Sequence, residues 1–116
     1  WEEAASYYRA TLRLALELGY PTQAAIALVG LAASQVGGAG GPGQLAQGVR
    51  WLSAAASYVA ELGIMLERLE RDALDQARVS AQEALPPAKF AAAWMAGTRL
   101  GLEQASAEAL AATVGT

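Results

Sequence analysis

The 116-residue chain contains no cysteine, no histidine and no asparagine. Without cysteine no disulfide framework can form. Without cysteine and histidine the usual ligands of zinc and soft metals are missing, and neither a Ser-His nor a Cys-His nucleophile pair can be assembled. Carboxylates, lysine, arginine and tyrosine are the titratable groups that remain, so neither a metal nor a cofactor is expected. A basic excess is lacking too. Eight Lys and Arg stand against eleven Asp and Glu, for a net charge of −3 and a pI near 4.8. That balance argues against nucleic acid as a direct partner. No segment alternates apolar and polar residues with the period of two that a strand needs.

Charge is absent altogether from Leu18 to Val49. The longest apolar part of that stretch, Ala24–Ala33, falls well short of the roughly 20 residues a membrane span needs. Gly19, Pro21 and a glycine run interrupt the rest. The stretch therefore predicts a central helix buried on most sides. With no span and no signal-peptide pattern, a cytoplasmic location is expected. The chain begins at Trp1 inside a helical pattern, which reads as one domain cut from a longer protein.

Hydrophobic residues make up 54% and charged residues 16%, and much of the apolar content is alanine, the strongest helix former. Six helices follow from the spacing. Glu2 to Leu18 places Ala4, Tyr8, Leu12 and Ala15 on one stripe, extended by Trp1 and Leu18, with Arg9, Arg13 and Glu17 opposite. Gly19 ends it and Pro21 opens a second helix, Thr22 to Val36, apolar nearly all round. A third runs from Gln44 to Leu62, with Val49, Leu52, Ala56 and Val59 inward and Arg50, Ser53, Ser57 and Glu61 on its polar side; Gly63 stops it. The fourth, Leu66 to Ala84, is expected to turn Leu66, Leu69, Ala73 and Ala77 inward. It carries the charge pairs Glu67–Arg71, Arg68–Asp72 and Arg71–Asp75 on a solvated face. Pro87 starts a fifth helix, which Gly97 is expected to stop. Leu102 to Thr113 forms the sixth.

Gly38-Ala39-Gly40-Gly41-Pro42-Gly43 matches the spacing G-x-G-x-x-G of a dinucleotide-binding turn. That motif works only where it leaves a strand and opens a helix, so that the phosphates rest on backbone N–H groups. Here the glycines leave a helix, Pro42 removes one of those amides, and no Lys-Ser or Lys-Thr follows as a P-loop requires. The segment reads as a helix-to-helix linker.

Of the carboxylates, Glu2, Glu3, Glu67, Glu70, Asp72 and Asp75 fall on outer faces with no convergent pair, so catalysis is not expected. The aromatic residues are the remaining handles. At helical spacing such rings are first of all core or inter-helix packing. Trp51 and Tyr58, seven apart on the third helix, share a side that differs from its Val49–Val59 face, which implies either a second packed neighbour or a ligand or partner groove. Trp1 and Tyr8 are the candidates for covering a preceding repeat or for a homodimer contact.

WEEAASYYRATLRLALELG, residues 1–19, resembles the second helix of a tetratricopeptide repeat, with Ala4, Tyr8 and Thr11 on its small, aromatic, small positions. AIALVGLAASQ, residues 25–35, resembles the first helix of the next repeat, and VRWLSAAASYVAELG, residues 49–63, the helix after that. FAAAWMAGTRLGLEQASAEAL, residues 90–110, resembles the closing segment of LuxR-type and predicted-ATPase bacterial transcriptional regulators. Phe90, Trp94, Gly97, Leu100, Leu102, Glu103 and Ala105 are in register with it. The resemblance implies an all-α fold of antiparallel helical hairpins in a right-handed superhelix over residues 1–62, closed by a three-helix cap over residues 64–116. It also implies a non-catalytic regulatory and protein-interaction role, with a protein or other domains of the parent chain as partner. A small-molecule effector near Trp51 and Tyr58 and a structural self-association cap are the alternatives. The longer glycine loop, Val49 at a position expected to be Ala or Gly, Gly101 at the start of the last helix, and a fourth helix without a proline-rich opening depart from the family pattern.

Overall fold

The computed structural model describes residues 2–38 and 41–114. They form six helices: α1 (Glu2–Leu18), α2 (Pro21–Gly37), α3 (Pro42–Leu62), α4 (Arg68–Ala84), α5 (Pro87–Thr98) and α6 (Leu102–Val114). No strand occurs among the described residues. The chain is all-α.

Local chemistry sets the boundaries. Gly19 and Gly63 take left-handed φ values of 73° and 65°, a region that costs glycine nothing. Each closes a two-bond helix ending. Tyr20 N–H reaches the Ala15 carbonyl at 2.8 Å and Ile64 N–H the Val59 carbonyl at 2.9 Å, while the glycine N–H bonds the carbonyl three residues back. Pro21, Pro42 and Pro87 each occupy the first turn of the following helix, where the missing N–H costs no hydrogen bond. The G-x-G-x-x-G stretch joins α2 to α3; within it Gly38 and Gly41 are extended, and Pro42 and Gly43 already belong to α3. Ala39 and Gly40 lie outside the described residues.

α2 is the centre, packing on α1, α3, α4 and α6. Leu28, Val29 and Leu31 on α2, Leu12 on α1, and Val49, Trp51 and Leu52 on α3 are the largest fully enclosed apolar side chains. Each such side chain contributes roughly 1.5–3 kcal/mol on leaving water. α3 packs more on α5 than on α4, which leans on α2 instead, and α6 returns across α3, α2 and α1. Glycines let two of these crossings close. A Cβ on Gly30 would fall within the Tyr8 ring, and one on Gly97 would meet the Arg50 carbonyl and the Ser53 side chain.

Three expectations change here. Gly97 does not stop α5; it lies inside the helix, buried, because α3 presses against that point. Ser53 is not on a polar side of α3. It is fully enclosed, and its hydroxyl donates to the Trp94 carbonyl on α5 at 2.6 Å. Leu69 does not face inward. It is 79% exposed, and α4 meets α2 through a seam of small residues that includes Ala77 and Ala81. Of the three charge pairs expected on α4, Arg68–Asp72 closes, at 3.9 Å, with both side chains largely in solvent.

Candidate binding cleft

Trp51 does not line a groove. Its side chain is 0% exposed, held between α3 and its neighbours. The indole Nε1 donates to Glu108 Oε1 of α6 at 3.3 Å, and Arg50 Nη2 meets the other oxygen of that carboxylate at 2.8 Å. Two adjacent residues of α3 thus grip one acid of α6. The second apolar side of α3, legible from Trp51 and Tyr58, is occupied at Trp51 by the protein's own closing helix. Glu108 had no signal in the sequence, because a glutamate in an alanine-rich helix reads as a solvated position.

Tyr8 faces inward as well, half-buried, with its ring in the space that Gly30 leaves on α2. It meets Tyr7 edge-on, the ring centroids 5.4 Å apart. Tyr7 is the ring that α1 presents to solvent, at 66% exposure. Trp1 lies outside the described residues. Trp94, half-buried, stacks on Phe90 at 5.8 Å and carries the Arg78 guanidinium of α4 at 5.4 Å from its ring, which ties α4 to α5. Such an exposed cation–ring contact is worth about 0.5–1 kcal/mol.

Tyr58 does line a cleft, of about 490 Å³. The cleft opens at one end of the bundle, where four elements converge. Ala15, Leu16 and Gly19 come from the end of α1, Tyr20, Pro21 and Ala24 from the start of α2, Tyr58 from α3, and Gly101, Leu102 and Glu103 from the start of α6. The local backbone explains the room. Gly19 and Gly101 bring no side chain, and a Cβ on either would meet nothing within 4 Å. Tyr20 is fixed at its backbone on both sides, donating to Ala15 and accepting from Ala24 N–H at 3.0 Å. Among the lining residues Tyr20, Tyr58 and Glu103 carry polar side-chain groups, and the others are apolar or glycine. No lysine or arginine lines it.

A second feature lies on the outer side of α1. Tyr7, Leu14 and Leu18 are 66%, 55% and 55% exposed. Leu18 was expected on the inward stripe. The inward face is instead Ala5, Tyr8, Leu12, Ala15 and Leu16, and a helix advances about 100° per residue, which swings Leu18 back into line with Tyr7 and Leu14.

Among the described residues, no group of three or more aspartates and glutamates is placed to hold a metal ion. No helix among the described residues is long and apolar enough to cross a membrane. Comparison with protein-family models, curated proteins and solved structures finds no match to the chain.

Proposed function

We propose that this chain is a non-catalytic regulatory and protein-interaction module, a tetratricopeptide-like helical array that docks an amphipathic helix on the outer face of α1. One observation carries the reading. Tyr7, Leu14 and Leu18 are each more than half exposed and stand seven and four residues apart, within about 40° of arc on one helix. Single exposed apolar residues are ordinary on any surface, but a line of them along one element marks a contact face. α1 packs on α2 and, less, on α6, so its other side has no neighbour among the described residues. Spacing of this kind suits a partner helix with apolar residues on one face. The resemblance of residues 90–110 to the closing segment of LuxR-type regulators supports a signalling setting. There, docking would favour one arrangement of packed helices over another.

A phage-displayed library of amphipathic helices, selected on the wild-type protein, tests this. Selected helices should carry apolar residues one turn apart, and Leu14→Glu should weaken them about tenfold or more while the thermal melt stays within about 2 °C of wild type. Helices that bind Leu14→Glu as well as wild type would remove the α1 face from the proposal.

A further inference from the structure

The geometry points to the cleft between α1, α2, α3 and α6 as a binding site for a small cationic amphiphile, an apolar or aromatic body carrying one ammonium group. This inference does not depend on the α1 outer face, since the cleft uses the opposite side of that helix and three other elements. Its volume of about 490 Å³ falls within the roughly 300–1,000 Å³ of small-molecule sites. Leu16, Pro21 and Leu102 supply apolar wall, and Tyr20 and Tyr58 supply aromatic rings, which attract a cation as well as an apolar body.

Charge selects the ligand's sign. Glu103 is the one ionisable carboxylate lining the cleft, and no cationic side chain lines it. The segments that form the rim extend the asymmetry. Residues 58–61 and 99–103 carry Glu61 and Glu103 against Arg99 alone. Glu61 follows Tyr58 by three residues and so stands one turn along the same side of α3. Two helix N-termini, those of α2 and α6, oppose this with partial positive charge. Pro21 removes one donor at the first, and Glu103 in the first turn offsets the second. The balance favours an ammonium over a carboxylate, and the alcohol of the same shape lies between.

Three matched probes separate these terms: 4-phenylbutylamine, 4-phenylbutanol and 4-phenylbutanoate, titrated into the ¹⁵N-labelled protein and followed by amide shifts. The amine should bind tightest, perturbing the amides of Gly19, Tyr20, Gly101 and Leu102. Glu103→Gln should cost the amine about threefold to fivefold, the value of one partly exposed charge pair, and leave the alcohol unchanged. Because Glu103 is exposed, the variant folds as wild type does, which the unshifted remainder of the spectrum verifies. A carboxylate that binds tightest would overturn the assignment in favour of the helix N-termini. Absence of cleft shifts with all three probes at millimolar concentration would overturn it outright.

Discussion

α2 and α4 each span 17 residues, and they pack on one another. Beyond that they are opposites. α2 holds no charged residue and buries ten of its positions, whereas α4, RLERDALDQARVSAQEA, is charged along most of its length and buries Ala77 and Ala81. The two helices show where helical stability comes from. α2 has no side-chain cap and contains Gly30, a residue that costs about 1 kcal/mol against alanine in a helix interior. It is held by its neighbours. α4 has the composition of a helix that persists in water, and its alanine seam lets it lie close to α2 without a large apolar stripe.

The sharpest way to break the comparison is to truncate one leucine on each helix. Leu28→Ala, at a fully enclosed site on α2, should cost about 2–5 kcal/mol. Leu74→Ala, half-buried on α4, should cost less than about 1.5 kcal/mol. Urea unfolding midpoints with a common slope would measure both, and equal shifts would show that α4 is as much a core element as α2.

A smaller effect compares the two ion pairs. Glu108→Ala would leave the enclosed Trp51 indole and the Arg50 guanidinium without their acceptor, at about 1–3 kcal/mol. The change should be largest in amide exchange of α6, since that helix loses its clamp. The smallest effect belongs to α4. Asp72→Asn removes a 3.9 Å pair whose side chains are 96% and 60% exposed, and should move the melt by the equivalent of no more than about 0.5 kcal/mol. A larger loss there would mean that the charged face is more than a solvated surface.

Much of the architecture was legible in the residues because turn chemistry is local. Gly19, Pro21, Gly63 and Pro87 end or open helices where their backbone preferences require it. The all-round apolar pattern of α2 announced its burial for the same reason that a missing charge needs no partner. What periodicity could not supply was the identity of neighbours. Gly97 has the same signature whether it ends a helix or admits another backbone, and only the approach of α3 distinguishes the two. Ser53 and Trp51 lie on sides of α3 that a single helix cannot assign, since α5 and α6 cover them from far along the chain. The α4 seam was missed because alanines carry a weaker apolar signal than Leu69, which the structure turns outward.

For the cleft, Tyr58 was the one residue legible in advance. Its companions come from two interhelix corners, Gly19–Pro21 and Gly101–Glu103, and corners far apart in sequence leave no periodic trace of meeting.

The grip of Arg50 and Trp51 on Glu108 has an optical consequence. An indole that is shielded from water emits toward the blue, and it moves red when water reaches it. Trp51 is enclosed in part by α6 and hydrogen-bonded to it, so its emission wavelength is a built-in gauge of whether that helix is docked. With Trp1 and Trp94 replaced by phenylalanine, one fluorophore would follow the closure of the bundle in real time without a label.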